Sequence, residues 1–151
     1  MFSAITQLSL RGRALRYLAA REHSRVELER KLAVHALGAQ ELAAVLDDLT
    51  ARGLLSDQRA AESLAYRRGT KLGTARVVHE LKAKGVEPQA IVQVAESLRV
   101  TERERALEVW ARRFGQTPVD PSERARQSRF LAQRGFAADT IAYVLRESSR
   151  S

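Results

Sequence analysis

The chain contains no cysteine, only 3 prolines and few aromatic side chains, which make up 5% of its 151 residues. The absence of cysteine excludes disulfide scaffolds, zinc–thiolate sites and thiol nucleophiles. No apolar run approaches the roughly 20 residues that a membrane-spanning helix needs. The first ten residues lack the basic start and long apolar stretch of a signal peptide. These absences predict a soluble, cytoplasmic protein.

Basic residues outnumber acidic ones, 26 against 18, which gives a formal net charge of +8. The excess is spread along the chain, with +2 over residues 1–52, +3 over 53–100 and +3 over 101–151. Such a charge favours polyanionic partners, namely nucleic acid, an acidic protein surface or anionic lipid. Many arginine-rich proteins bind no polyanion, so the charge alone does not choose among these classes.

Helix-forming residues at helical spacing account for most of the chain. Val77, Val78 and Leu81 place apolar side chains on one helix face, and Ile141 with Val144 repeats the pattern. No stretch alternates β-branched and polar residues over the length of a strand. The spacing predicts about nine helices of roughly ten to fifteen residues.

Capping residues and glycines predict where these helices begin and end. Ser24 with Glu27, and Thr101 with Glu104, have the spacing of capping boxes, in which a hydroxyl and a carboxylate each satisfy a free backbone N–H. Further starts are predicted at Ser56 or Asp57, Pro88 and Pro121. Four glycines suit the left-handed residue that ends a helix: Gly38, Gly53, Gly85 and Gly135.

An internal repeat of about 50 residues organises these helices. Leu32, Leu81 and Leu131 lie 49 and 50 residues apart, and equivalent aliphatic residues follow each of them after ten and thirteen positions. The sequence therefore predicts an all-α protein of three tandem three-helix repeats, over residues 11–55, 56–100 and 101–148. Because each unit is too small to bury its own apolar face, stacking of neighbours should give an elongated, curved array.

Three strings of the sequence, in order, resemble the motifs of the RecX family. Residues 21–28 (REHSRVEL) are similar to R-x-x-S-R-x-E-L, and residues 73–86 (GTARVVHELKAKGV) to G-x-x-R-I/V-x-x-E-L-x-x-K-G-I/V. Residues 130–136 (FLAQRGF) are similar to F-L-x-x-R-G-F. The likeness covers about residues 11–147. One position departs from the family pattern: Leu72 stands where the family often has a basic residue, and the neighbouring Lys71 could take that role.

The resemblance implies a specific function. RecX proteins are regulators of the bacterial RecA recombinase built from tandem three-helix repeats. They bind in the groove of the RecA filament and suppress its ATP hydrolysis, its strand exchange and its stimulation of LexA self-cleavage. Some members also bind DNA directly. The expected partners are therefore the RecA filament and single-stranded DNA, with duplex DNA as a further candidate, and the expected state is a monomer without a membrane partner.

Enzyme chemistry is not predicted. Residues 69–73 (GTKLG) lack the spacing and the following Lys-Ser/Thr of a phosphate-binding loop, so a hydrolysed nucleotide would belong to the partner. His23, His35 and His79 belong to different helical segments and are predicted to be surface or capping residues rather than metal ligands. Trp110 is predicted to belong to the core rather than to a base-stacking surface. We expect no cofactor and no metal.

Binding is predicted to depend on cations that recur in the three units. Arg76 faces away from the apolar side of its helix, and Arg67, Arg68 and Lys71 surround the glycine turn before it. Together with the related positions of the other units, these cations could form one basic stripe if the array curves. The candidate binding residues are Arg25, Arg30, Lys31, Arg67, Arg68, Lys71, Arg76, Lys82, Lys84, Arg126, Arg129 and Arg134.

Two alternatives to a RecA regulator stay open from the residues alone. Three-helix units can resemble helix-turn-helix modules, so the chain could be a DNA-binding protein that acts without RecA. The interleaving of basic with acidic residues argues against a recognition helix of that kind. Binding to a lipid surface ranks third, because few large apolar side chains are free to insert.

Overall fold

The computed structural model describes residues 8–150, so most of the N-terminal segment searched for a signal peptide lies outside the described residues. Within this range the chain forms nine α-helices and no strand. The helices are α1 Leu10–Ala20, α2 Arg25–Leu32, α3 Ala39–Ala51, α4 Asp57–Arg68, α5 Thr74–Ala83, α6 Pro88–Val100, α7 Glu102–Arg113, α8 Pro121–Gln133 and α9 Ala138–Ser148. None of them combines the length and apolar character needed to cross a membrane.

Each set of three consecutive helices surrounds its own hydrophobic cluster. The clusters draw on residues 10–55, 61–98 and 106–145. Leu32, Leu81 and Leu131 are each 0% exposed and hold the same position in their clusters. The predicted all-α array of three-helix repeats is confirmed, and we call the helix sets α1–α3, α4–α6 and α7–α9 units 1, 2 and 3. The exact boundaries between the units stay predictions.

The helix starts agree with the sequence at most positions. The Ser24 hydroxyl accepts from the Glu27 amide at 3.0 Å, and the Glu27 carboxylate accepts from the Ser24 amide at 3.0 Å, which confirms this capping box. Ser56 caps α4 by accepting from the Arg59 amide at 3.1 Å. The two prolines occupy first-turn positions of α6 and α8 as expected.

Two predicted helix ends are wrong. Thr101 makes no capping bond, because α7 begins directly after α6 and leaves Thr101 at φ −105° and ψ 6°, outside the extended conformation of a cap. Its hydroxyl instead accepts from Arg105 Nε at 3.1 Å. Gly38 does not end a helix in the left-handed region, because a short 3₁₀ turn at Ala33–His35 already follows α2. Gly38 has extended backbone, with φ 178°, and precedes α3.

Gly85 and Gly135 end α5 and α8 and also let the units approach each other. Both have positive φ, 70° and 92°, which side chains rarely adopt. A Cβ atom on Gly85 would overlap Val26 of unit 1, and one on Gly135 would overlap Arg76 of unit 2. The second helix of one unit thus lies against the glycine turn of the next unit at both junctions.

Candidate interaction surfaces

Two junctions set the relative positions of the three units. We call the contacts between units 1 and 2 the N-terminal joint, and those between units 2 and 3 the C-terminal joint. Across residues 8–150, every hydrogen bond between units belongs to neighbours in chain order, and none joins unit 1 to unit 3. The surface available to a partner therefore depends on these two joints.

Both joints contain a carboxylate at the first residue of a helix. At the N-terminal joint, Asp57 accepts from the Arg25 amide at 2.8 Å and from the Glu87 amide at 2.7 Å. These amides lie at the N-termini of α2 and α6, where the free N–H groups and the helix dipoles favour a negative charge. One side chain thus satisfies two helices of different units.

Glu102 has the same role at the C-terminal joint. Its carboxylate accepts from the Thr74 amide at 2.9 Å and from the Ala137 amide at 3.1 Å, at the N-termini of α5 and α9. The Thr140 hydroxyl donates a third bond at 2.9 Å. Glu102 is only 6% exposed. Burial raises its pKa, but the hydrogen bonds from Thr74, Ala137 and Thr140 outweigh burial and hold the pKa below its ordinary value.

Arg105 reinforces the C-terminal joint from the other side. Its guanidinium donates to the carbonyl oxygens of Gly69, Leu72 and Leu98 at 2.9, 2.6 and 2.9 Å, and to the Thr74 hydroxyl at 3.3 Å. Gly73 adds a backbone bond, since its amide donates to the Arg134 carbonyl at 2.8 Å. Backbone groups therefore hold units 2 and 3 together.

The N-terminal joint depends more on ion pairs. Arg59 contacts Glu22 at 3.1 Å, and Lys84 contacts Glu27 at 3.3 Å. Arg21 also contacts Glu27, at 3.0 Å within unit 1. Burial raises the pKa of Glu27, but the bonds from Arg21, the Ser24 amide and Lys84 lower it to about 2.

His23 is buried beside this joint, so its predicted surface or capping position is wrong. It is 1% exposed, its Nδ1 lies 3.0 Å from the Arg21 carbonyl oxygen, and its Nε2 lies 2.8 Å from Lys31 Nζ. This geometry fits a neutral ring that donates from Nδ1 and accepts from Lys31 at Nε2. Burial and the charges of Arg21 and Lys31 lower the pKa of His23.

More than half of the predicted binding cations have intramolecular partners. Four form ion pairs with carboxylates: Arg25 with Asp47, Arg68 with Glu80, Lys84 with Glu27 and Arg126 with Glu123. Arg30 and Arg76 donate to carbonyl oxygens of the next unit, at 3.4 and 2.8 Å. Lys31 contacts His23 and lies 4.8 Å above the Tyr17 ring. These side chains help to hold the fold.

The other five predicted cations form neither an ion pair nor a side-chain hydrogen bond within residues 8–150, namely Arg67, Lys71, Lys82, Arg129 and Arg134. The structure brings Lys71 together with Arg134 around one cavity. It separates the residues of the glycine turn, since Arg67 lies beside Lys84 at the N-terminal joint and Arg68 is held by Glu80. The single stripe stays a prediction.

A groove of about 790 Å³, which we call the inter-unit groove, lies between units 2 and 3. Its lining includes Lys82, Arg99 and Arg103, and the exposed side chain of Val100. Asp139 and the fully bonded Glu102 are its carboxylates. Sequence reasoning found Lys82 but missed the two arginines. Arg99 lies in the last turn of α6 and Arg103 in the first turn of α7, where the repeat pattern does not predict which side chains face a groove.

A second cavity of about 230 Å³, which we call the arginine cleft, is lined by Lys71, Val109, Arg112, Arg113, Phe130 and Arg134. Sequence reasoning missed Arg112 and Arg113. The signal that could have found them is the string WARRF at residues 110–114, where two arginines lie between aromatic residues. Trp110 itself packs against the third cluster, as predicted, and donates to Gln127 at 2.7 Å. No group of acidic or histidine side chains within residues 8–150 is placed to hold a metal ion.

Comparison with known proteins identifies the family. The model "RecX, first three-helix domain" matches residues 11–49, and "RecX, third three-helix domain" matches residues 101–145. The regulatory protein RecX of Leptothrix cholodnii is 55% identical over 146 residues, which cover 97% of this chain and 93% of that protein. The regulatory protein RecX of Ralstonia nicotianae is 46% identical over 138 residues, covering 91% and 87%.

The fold is also shared with solved structures. The crystal structure of RecX from Lactobacillus salivarius matches with a TM-score of 0.78 at 20% identity, covering 91% of this chain and 93% of that one. At 20% identity this match shows that the fold is shared. The family is shown by the relatives above, which are 55% and 46% identical over almost the whole chain. The chain therefore belongs to the RecX family of regulatory proteins.

Proposed function

We propose that this protein is a negative regulator of RecA. It binds in the groove of the filament that RecA forms on single-stranded DNA, and it inhibits ATP hydrolysis, strand exchange and the stimulation of LexA self-cleavage. The observation that carries the proposal is the 55% identity to a regulatory protein RecX over 97% of the chain. RecA as the partner comes from the RecX motifs of the sequence.

The inter-unit groove is the surface best suited to a protein partner. Lys82 and Arg99 supply charges that form no ion pair with any other residue in the 8–150 range, and Val100 is 85% exposed beside them. Protein interfaces combine such an apolar contact with a charged rim, which steers the encounter. The Glu102 and Arg105 bonds hold the walls of the groove, which belong to units 2 and 3.

Binding along a polymer would multiply weak contacts. A chain of three units can meet neighbouring protomers of a helical filament, and each further contact is made at high effective concentration. A bound molecule at a filament end would also block addition of the next protomer. We therefore expect inhibition at ratios far below one molecule per RecA protomer.

The test is RecA ATP hydrolysis on single-stranded DNA with sub-stoichiometric amounts of this protein. The double variant Lys82→Gln/Arg99→Gln should raise the half-inhibitory concentration about tenfold, because it removes two steering charges. Arg16→Gln/Arg146→Gln is the matched control, since it removes two exposed cations on α1 and α9. No inhibition by the wild type at any ratio would contradict the function, whereas equal effects of the two variants would contradict only the groove.

The glycine turn gives a second test of the contact surface. Reversal of Arg68 to Glu would place it against Glu80 and disturb the fold, so Arg67 and Lys71 are the better positions. Arg67→Glu/Lys71→Glu should weaken inhibition while helicity, measured by circular dichroism, is unchanged. Strong binding to naked duplex DNA with no preference for the RecA filament would instead favour a DNA-binding protein that acts without RecA.

A further inference from the structure

A ladder of alternating arginines and phenylalanines begins in the arginine cleft and continues into the neighbouring cavity, which Phe114 and Arg126 line. Arg134 lies 4.8 Å from the centre of the Phe130 ring, and Arg113 lies 5.4 Å from the same ring. Arg113 also lies 5.6 Å from Phe114, and Arg126 approaches Phe114 at 5.0 Å. The two rings meet edge to face, with their centres 5.3 Å apart. Each ring thus separates two positive charges and offsets their repulsion.

The cleft concentrates positive charge without a carboxylate. Lys71, Arg112, Arg113 and Arg134 line it, and none of them forms an ion pair within residues 8–150. Arg112 is fixed by a bond from Nη2 to the Thr70 carbonyl at 2.7 Å, which leaves its other donors free. Four cations around about 230 Å³ make a site that attracts an anion.

The chemistry of the cleft selects phosphate over other polyanions. Planar guanidinium groups match phosphate oxygens in two parallel hydrogen bonds. They match carboxylates as well, so the choice between a strand and an acidic protein depends on the apolar surface of the cleft. Val109 is 6% exposed and arginines cover the Phe130 ring, so the cleft offers little apolar surface to a protein partner. The covered ring is also not available for stacking on a base. The inter-unit groove differs on this point, because Val100 is exposed there.

We propose that the arginine cleft binds the sugar–phosphate backbone of a nucleic-acid strand and reads no bases. The ligand is the strand itself rather than RecA, so this inference goes beyond the proposed inhibition and can be tested with RecA absent. Lys71, Arg113 and Arg134 contact successive phosphates, and Phe130 and Phe114 keep the guanidinium groups in place. Affinity is then set by charge and salt, with little dependence on base sequence.

The experiment measures fluorescence anisotropy of a labelled 15-residue oligo-dT with the full chain. Lys71→Gln/Arg113→Gln should weaken binding about tenfold and reduce the slope of log K against log salt by about 1.4, since each lost phosphate contact on a single strand accounts for about 0.7. Lys82→Gln/Arg99→Gln, with the same change of charge in the inter-unit groove, should have less than a twofold effect. Oligo-dA should bind as tightly as oligo-dT.

Several outcomes would overturn the proposal. Equal losses in the two double variants would show that charge is spread over the surface. A strong preference for one base would show base reading, and displacement by poly-glutamate as effective as by an oligonucleotide of equal charge would indicate an acidic protein ligand. Full displacement of oligo-dT by inorganic phosphate, at a concentration equal to that of the oligonucleotide's phosphate groups, would show that the cleft is a site for small anions.

A measurement on the wild type avoids any effect of substitution on folding. Lys71 is exposed and forms no ion pair within the described range, so a lysine-acylating reagent should reach it in the free protein. Bound oligo-dT should protect Lys71 at least fivefold more than Lys82, as read by mass spectrometry. Equal protection of the two lysines would contradict the cleft.

Discussion

Each joint places a carboxylate at an equivalent pair of helix N-termini, α2 and α6 at the N-terminal joint and α5 and α9 at the C-terminal joint. Only the C-terminal joint buries its carboxylate. Asp57 is half-buried and bonds two amides, while Glu102 is 6% exposed and bonds two amides and a hydroxyl. Around Asp57 the units are also joined by ion pairs and by the buried Ser24 hydroxyl, which donates to the Lys84 carbonyl oxygen. Around Glu102 they are joined by the guanidinium of Arg105, which donates to backbone oxygens.

Because of this difference, we expect the two joints to differ in stiffness. Partly exposed ion pairs such as Arg59–Glu22 contribute little and are screened by salt, whereas buried hydrogen bonds are not screened and are costly to leave unmade. Units 2 and 3 should therefore behave as one stiff block that carries both the inter-unit groove and the arginine cleft. Unit 1 should be the part whose attachment responds to salt and pH.

Removal of the buried charge should have the largest effect. Glu102→Gln leaves its amide group facing N–H and O–H donors and should lower the free energy of unfolding by about 3 kcal/mol. The matched change Asp57→Asn should cost only about 1 kcal/mol, because water can replace the lost bond at the more exposed site. Urea unfolding of both variants measures the difference, and equal losses would show that the joints do not differ.

Arg105 is the second side chain of unit 3 that holds the C-terminal joint, and its removal tests the same joint. Arg105→Met keeps much of the side-chain packing but leaves the Gly69 and Leu72 carbonyl oxygens without their donor, at an expected cost of about 2 kcal/mol in unfolding free energy. The control Arg124→Met, at an exposed side chain with no ion pair or side-chain hydrogen bond within residues 8–150, should cost less than about 0.5 kcal/mol. A comparable loss in the two variants, by thermal or urea unfolding, would mean that Arg105 does not hold the joint.

The ion pairs of the N-terminal joint should have a small effect that salt removes. Arg59→Met breaks the contact with Glu22 and should cost about 0.5 kcal/mol at low ionic strength. Because the Debye length falls to about 3 Å at 1 M salt, the difference from wild type should vanish there. The Glu102→Gln loss should persist at 1 M sodium chloride, and a parallel disappearance of both losses would contradict the comparison.

A small acid effect should also be confined to unit 1. The folded protein favours neutral His23, with its pKa below 6.5, so stability is fully present above that pH and falls as the pH drops below 6.5 and the unfolded chain binds the proton. Arg21 and Lys31 oppose the protonated ring, while Glu27 and Tyr17 face it from the same unit. Unfolding free energy measured from pH 7.5 to 5.5 should fall in the wild type.

His23→Gln should remove that pH dependence, because glutamine does not titrate. His79→Gln, on the exposed face of α5, is the matched control and should retain it. If the control abolishes the slope while His23→Gln preserves it, the acid response does not come from unit 1.

The sequence predicted the parts of the fold that depend on local pattern. Leu32, Leu81 and Leu131 were identified by spacing, since a buried helix face repeats every three to four residues. The Ser24 capping box was predictable because its partners lie three residues apart. Lys82 was found among the groove residues because α5 has a regular apolar face, and the spacing placed Lys82 on the flank of that face.

The rest depends on partners far apart in the chain. Glu102 contacts amides 28 and 35 residues away, so the pattern of nearby residues assigned the helix start to Thr101 and Glu104 instead. Asp57 was considered only as a local cap, although its amide partners are 32 and 30 residues away. Arg68 looked like a free binding cation because Glu80 lies on another helix. His23 is buried only once unit 1 has closed.

Hydrogen exchange at four backbone amides tests the comparison of the joints most directly. Thr74 and Ala137 donate to buried Glu102, and Arg25 and Glu87 donate to half-buried Asp57. After correction for intrinsic rates, the amides of the first pair should exchange at least tenfold more slowly, and 1 M salt should speed exchange only at the second pair. Equal protection of the four amides, with the same response to salt, would contradict a stiff C-terminal block joined to a more loosely attached first unit.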